Sequence, residues 1–229
     1  QERLRHLVMS NIIKTYISPI ILLGAGDVNW PLLQHYADKG CPVVAADGGA
    51  NLLMGKDIFP DLIIGDLDSL ELSRIQNDQT TVHRIEEQDT TDFEKCLYAT
   101  DAPRYVGFGF LGNRLDHSLA ALHVLAKYCD HKTVLLIDQI DTVLVTRRAV
   151  TLELPVDSRV SIFPLGQVHF ERSTGLAYPL DNLELEIGQR SGTSNKSVST
   201  SVHIQPSAKS EAAYAVIVGS ENHLCLPPG

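Results

Sequence analysis

Along the first 138 residues, short unbroken apolar runs alternate with stretches in which apolar side chains recur every three or four positions. The runs at 20–23, 43–46, 62–64, 105–108 and 133–137 are rich in aliphatic and β-branched residues, which predicts buried strands. Between them, 31–39 and 117–128 carry the helical period. Strand and helix in alternation predict an α/β layer with a mostly parallel sheet, whose ligands gather beyond the carboxyl ends of the strands. After residue 138 the helical period disappears. "TVLVTRRAVTLELP", "SRVSIFPLG", "LELEIG", "SVSTSVHIQ" and "AAYAVIVG" are β-like runs divided by Gly, Pro, Asn and Asp, the texture of an antiparallel sandwich or roll. The expected fold is therefore α/β: an N-terminal mostly parallel α/β sheet domain over 1–138, followed by a C-terminal antiparallel β-sandwich domain over 139–229.

Composition narrows the partners. A formal charge of -9 argues against a nucleic-acid backbone as the main ligand, because such binding depends on clustered Lys and Arg. The longest apolar run, around Ile20–Leu23, is far shorter than the roughly 18 residues a spanning helix needs, so no membrane partner is expected. Cys41, Cys96, Cys129 and Cys225 are scattered without a C-x-x-C pair. That disfavours a zinc site and a secreted disulfide framework and predicts a reduced, cytoplasmic protein. The polar opening Gln1–His6 lacks the apolar core of a signal peptide, and Met9 is a candidate natural start behind a vector leader.

The chemistry is written in acidic turns. "PDLIIGDLDSL" at 60–70 ends a predicted buried strand with Asp66 and Asp68 around a single residue, and like charges that close repel unless something compensates them. Asp47 in "AADGGAN", Asp89 and Asp92 in "QDTTDFEKCL", and Asp116 in "GNRLDHSLAALH" also follow predicted strands or open predicted helices. In a parallel sheet these turns share one edge, where converging carboxylates suit a magnesium ion that keeps positions open for substrate phosphates. Arg114, in a Gly-flanked turn, adds a fork for phosphate oxygens, and Gly112 lets backbone N–H groups approach them.

Each turn also has a plainer explanation. Gly48 and Gly49 can form a tight turn capped by Asp47. Thr91 and Glu94 have capping-box spacing, which puts Asp92 in a first helical turn without any chemistry. Asp116 can be an N-cap and Arg114 a surface charge. His83, His117, His123 and His169 read as structural. "GAGDVN" at 24–29 lacks the third Gly of a dinucleotide fingerprint and reads as a strand-exit turn, and no Walker-type P-loop is present.

In order, "ADGGAN", "PDLIIGDLDS", "DTTDFEKCL", "GNRLDH", "TGLAYPL" and "GTSN" resemble the motifs of the thiamine pyrophosphokinase family over about residues 45–195. The resemblance implies the two-domain fold above, a homodimer with its active site at the subunit interface, and conversion of ATP and thiamine to thiamine diphosphate and AMP. It implies Mg2+ as cofactor, with Asp66, Asp68, Asp89 and Asp92 as the metal and phosphate region and Asp47 close by. Arg114 and Asp116 fall on the nucleotide side, and Ser194, Asn195 and Tyr178 on the thiamine side. Asp66, Asp68 and Asp92 are the expected catalytic groups, with Asp92 a candidate base. Asn113 stands where the family often has Gly. Two alternatives stay open: a phosphatase in which Asp66 attacks phosphorus and Asp68 protonates the leaving group, and a nucleotide or thiamine sensor without catalysis.

Overall fold

All five apolar runs in the first part become strands with every residue buried, as a sheet covered on both faces requires. The computed structural model describes residues 11–68 and 79–226, so the candidate leader and Ser69 of the "GDLDS" motif lie outside the described residues. Within this span the chain divides near Val124 into two compact units.

The first unit contains β1 (Lys14–Thr15), β2 (Ile20–Leu23), α1 (Trp30–Asp38), β3 (Val43–Ala46), a 3-10 segment (Asp47–Leu53), β4 (Leu62–Gly65), β5 (Thr81–Arg84), α2 (Asp92–Ala99), β6 (Thr100–Asp101) and β7 (Tyr105–Phe108). Its main sheet runs β7-β2-β3-β4-β5, all parallel, with Leu22 opposite both Val44 and Gly107. β1 and β6 pair parallel beside it as a two-stranded sheet. Edge strand β5, "TVHR", is half exposed and has no apolar run, which is why its sequence gave no strand signal. Helix α1 begins where Asn29 accepts from the Leu32 N–H at 3.3 Å and Pro31 sits in the first turn. Helix α2 is capped by Thr91, whose hydroxyl accepts from the Glu94 N–H at 3.2 Å, as its spacing predicts.

Helix α3 (Leu115–Tyr128) carries the chain across the division. The second unit contains β8 (Val134–Ile137), β9 (Asp141–Thr146), β10 (Val150–Glu153), β11 (Arg159–Pro164), β12 (Val168–Thr174), β13 (Leu183–Leu185), β14 (Gly192–Lys196), β15 (Ser201–Pro206), β16 (Tyr214–Gly219) and a second 3-10 segment (Ser220–Cys225). Two antiparallel sets, β14-β11-β16-β9-β8 and β10-β15-β12-β13, share one core. Alternation puts Val160, Ile162 and Val216 of one set against Leu152, Phe170 and Ile204 of the other. Phe170 meets Tyr214 edge-on at 5.1 Å, and the buried Tyr214 hydroxyl donates to the Arg148 carbonyl at 2.7 Å. β8 forms an antiparallel hairpin with β9.

Candidate active site

Because β2, β3, β4 and β7 run parallel, the turns after them emerge on one edge: Gly24 after β2, Asp47 after β3, Asp66 after β4 and Gly109 after β7. They enclose a cleft of about 610 Å³, lined also by Gln88, Asp92, Lys95, Arg114 and His117. This size suits a small-molecule ligand. The floor depends on close backbone approach. Gly26 N–H donates to the Gly109 carbonyl at 2.9 Å, and a Cβ on Gly24 would stand 2.5 Å from that oxygen. The "GAGD" turn is thus a strand-exit turn, as its sequence indicates, and it also lines the cleft.

Asp47 is only 6% exposed and has φ 41°, in the left-handed region that side chains rarely occupy. Its Oδ1 has no hydrogen-bond partner among the described residues. The carboxylate is seated there because Gly65 has no side chain: a Cβ at that position would lie 2.6 Å from Asp47 Cβ. One residue further, the D-x-D turn places Leu67 at φ 69°. Leu67 packs against a small cluster of Ala45, Ala50 and Ile63, while Asp68 is left exposed. Asp66 Oδ1 accepts from the Asp68 N–H at 3.2 Å, its Oδ2 from Gln88 Nε2 at 3.0 Å, and its carbonyl from Arg84 Nε at 3.1 Å. The Gln88 bond leads in holding the Asp66 carboxyl below the usual range.

Asp92 is both the first helical residue of α2 and a wall of the cleft, so its capping role and its placement in the site coexist. Lys95 is 2% exposed, and its Nζ lies 3.1 Å from Asp92 Oδ1. Burial pushes the Asp92 carboxyl up; the Lys95 bond opposes this, and the negative charges of Asp47 and Asp66 add to it. A buried cation among three carboxylates partly neutralises the cleft without filling it. Arg114 is in the lining and is gripped by Asp116 through Nη2 at 2.6 Å and Nε at 3.1 Å, which lowers the Asp116 carboxyl. Asp116 is not the helix cap; it lies in the first turn of α3 and orients Arg114. Asn113, at φ 47°, takes the left-handed conformation that Asn tolerates better than most residues.

Asp47, Asp66 and Asp92 therefore meet at the cleft, whereas Asp68, Asp89 and Asp116 are exposed and absent from its lining. Lys95 and Gln88 were not singled out from sequence, and the Gly24–Gly26 turn was read only as a strand exit. Only the i, i+3 spacing of Asp92 and Lys95 pointed to the first of these.

In the second unit the three residues expected on the thiamine side form a local group. Asn195 is 3% exposed: its Oδ1 accepts from the Tyr178 N–H at 3.0 Å and its Nδ2 donates to the Tyr178 carbonyl at 2.7 Å. The Tyr178 ring is 68% exposed. Asn195 thus holds the Tyr178 turn by its backbone instead of presenting its amide to solvent. Ser194, at φ 60°, is exposed and its N–H donates to Ser161 Oγ at 3.0 Å. Among the described residues, four of the six non-glycine residues with positive φ (Asp47, Leu67, Asn113 and Ser194) fall within the motifs. Such strain concentrates where a fold positions groups for function.

The family model of the thiamin pyrophosphokinase catalytic domain matches residues 33–137, and that of the thiamin pyrophosphokinase vitamin B1 binding domain matches 149–209. The two matches together take in well over half of the chain. The chain belongs to the thiamin pyrophosphokinase family. Thiamin pyrophosphokinase 1 of Caenorhabditis elegans is 29% identical over 184 residues, covering 72% of this chain and 75% of its own. A thiamine pyrophosphokinase of Bacillus subtilis is 28% identical over 177 residues, with coverage of 72% and 83%. The crystal structure of a thiamin pyrophosphokinase from Geobacillus thermodenitrificans superposes with a TM-score of 0.74 at 26% identity, covering 88% of this chain and 97% of that one. Family membership makes the two-part architecture an expected one.

A divalent cation can be tested against the residues present. Among the described residues, no three His, Cys, Asp or Glu side chains stand close enough together to enclose a metal ion. The donor chemistry nevertheless fits magnesium: the cleft offers the carboxylate oxygens of Asp47, Asp66 and Asp92, and the buried Asp47 Oδ1 lacks a partner among the described residues. Asp68 and Asp89 are both exposed.

Proposed function

We propose that this protein is a thiamine diphosphokinase: thiamine's hydroxyethyl oxygen attacks the β-phosphorus of ATP, the diphosphoryl unit is transferred, and AMP leaves. The observation that carries this is the meeting of four family motifs, "ADGGAN", "GDLD", "DTTDFEK" and "GNR", at one cleft that holds three carboxylates, a buried lysine and an arginine. In this reading Asp66, Asp68, Asp89 and Asp92 would hold Mg2+, with Asp47 close by. When bound, the ion supplies charge neutralisation on the phosphates. Arg114, fixed by Asp116, and the backbone of the Gly112 turn grip phosphate oxygens. Lys95 keeps Asp92 oriented toward the cleft, where Asp92 is the candidate base for the hydroxyl proton.

Tyr178 and Ser194 form the thiamine side, with Asn195 setting the Tyr178 turn. The reading includes a homodimer with its active site at the subunit interface and a cytoplasmic location. Among the described residues, no helix is long and apolar enough to cross a membrane.

A phosphatase with Asp66 as nucleophile is not favoured, since the matching family models are those of thiamin pyrophosphokinase. Family membership also weighs against a sensor without catalysis. The test is chromatographic: purified protein with thiamine, ATP and magnesium, following thiamine diphosphate and AMP together. Equal, magnesium-dependent appearance of both is expected. Free phosphate, or saturable thiamine binding without product, would overturn the proposal.

A further inference from the structure

Glu87, between β5 and α2, is absent from the cleft lining, yet its carboxylate is the most heavily used acceptor near the site. Its Oε2 accepts from the Asp89 N–H at 2.8 Å and the Thr90 N–H at 3.0 Å. Its Oε1 accepts from the Thr90 hydroxyl at short range and from the Tyr98 hydroxyl at 3.0 Å. Three of these donors belong to the turn that leads into α2, and the fourth lies on the last turn of α2. One side chain thereby folds the turn and fastens it to the helix. Its neighbour Glu86 instead points to Arg84 at 3.4 Å, on the surface.

The consequence reaches the cleft by two routes. Gln88, inside the folded turn, is brought to Asp66 Oδ2 at 3.0 Å, and Thr91, at its end, caps the helix that presents Asp92. We propose that Glu87 is a positioning residue for the phosphate-binding cleft: it sets the 87–91 turn, and through it the placement of Gln88, Asp66 and Asp92. This rests on the cleft's being the nucleotide site.

The chemistry separates hydrogen bonding from charge. A glutamine can keep one oxygen on the two backbone N–H groups and direct its NH2 at Thr90 and Tyr98, whose hydroxyls also accept. Glu87→Gln therefore retains the four contacts without the charge. Glu87→Asp retains the charge, but loses a methylene of reach and cannot span both the turn and Tyr98. Glu87→Met removes all four acceptances and leaves two backbone N–H groups without their partner.

Two readouts are needed: kcat/KM for ATP in thiamine diphosphate formation, and calorimetric binding of a non-hydrolysable ATP analogue with magnesium. Glu87→Gln is expected to stay within about threefold of wild type in both. Glu87→Met is expected to lose on the order of 100-fold in kcat/KM, the scale of an ångström-sized misplacement, and to bind the analogue more weakly. Glu87→Asp should fall between them, with the KM for thiamine nearly unchanged in all three. If Glu87→Met fails to fold, the order of the other two decides. Loss in Glu87→Gln with retention in Glu87→Asp would mean that charge acts, not the hydrogen-bonded turn, and would overturn the proposal. So would wild-type behaviour of a folded Glu87→Met. If the wild type makes no thiamine diphosphate, the functional reading fails by itself, and analogue binding across the variants still decides the role of Glu87. If the wild type does not bind the analogue either, both fail.

Discussion

Gly65→Ala tests whether the deepest carboxylate of the cleft is held by the absence of a side chain. The added methyl would lie 2.6 Å from Asp47 Cβ and 3.1 Å from its Cα. Carbon atoms pack best at about 3.5–4.0 Å, so the overlap is about 1 Å, and it falls on atoms that no side-chain rotation can remove. Overpacking of this kind costs about 1–3 kcal/mol. For a chain of this length that lowers Tm by about 2–12 °C. Displacing the Asp47 carboxylate by an ångström should also reduce turnover by up to roughly 100-fold. The assay pairs thermal unfolding with thiamine diphosphate formation in three variants: Gly65→Ala, Asp47→Gly and both together. Asp47→Gly removes the struck atom, supplies a residue at ease at φ 41° and deletes the unpartnered oxygen. The double variant should therefore recover most of the stability that Gly65→Ala loses, while remaining as inactive as Asp47→Gly. Such non-additivity is expected only of positions in contact. Unchanged Tm and turnover in Gly65→Ala, or a double variant no more stable than Gly65→Ala, would refute the reasoning.

Three further outcomes follow from the same geometry. Lys95→Met strips the buried partner from Asp92 and should cost about 1–3 kcal/mol in denaturant unfolding, less than a fully buried pair because the Asp92 side chain is 36% exposed; turnover should fall with it. Asn195→Ala leaves the Tyr178 N–H and carbonyl without their side-chain partner, which should cost about 1–3 kcal/mol and raise the KM for thiamine more than that for ATP. Burial pushes the Cys129 thiol up to about 11 against the opposing pull of Arg147, whose Nη1 lies 2.9 Å from the sulfur. Since the thiolate is the reactive form, alkylation of Cys129 followed by mass spectrometry should be slow at pH 8 and accelerate toward pH 11, and rapid labelling at pH 8 would contradict the assigned burial.

The parallel strands, the Thr91 cap and the order of the acidic turns were legible in the chain because their causes are local. Unbroken apolar runs need cover on both faces, a threonine three residues before a glutamate caps a helix, and a strand buried on both faces has no place for an unpaired charge. From these it followed that the turns carrying Asp47, Asp66, Asp68, Asp89, Asp92 and Asp116 would share one sheet edge, since parallel strands share their carboxyl ends; of the six, Asp47, Asp66 and Asp92 line the cleft. Strand β5 was not legible, because an edge strand with one wetted face carries no apolar run. Nor were the separate tasks of similar residues. Asp92 faces the cleft, Asp116 grips Arg114, and Glu87 folds a turn, although all three are acidic residues beside a helix start. Asn195, taken from the motif as a residue facing ligand, is buried against the Tyr178 backbone. Charge and spacing predicted that acidic turns would gather along one sheet edge. Which carboxylate is exposed, which is bonded and which is left with an open oxygen depended on neighbours distant in sequence, because burial and hydrogen-bond satisfaction are properties of the packed chain and not of any segment of it.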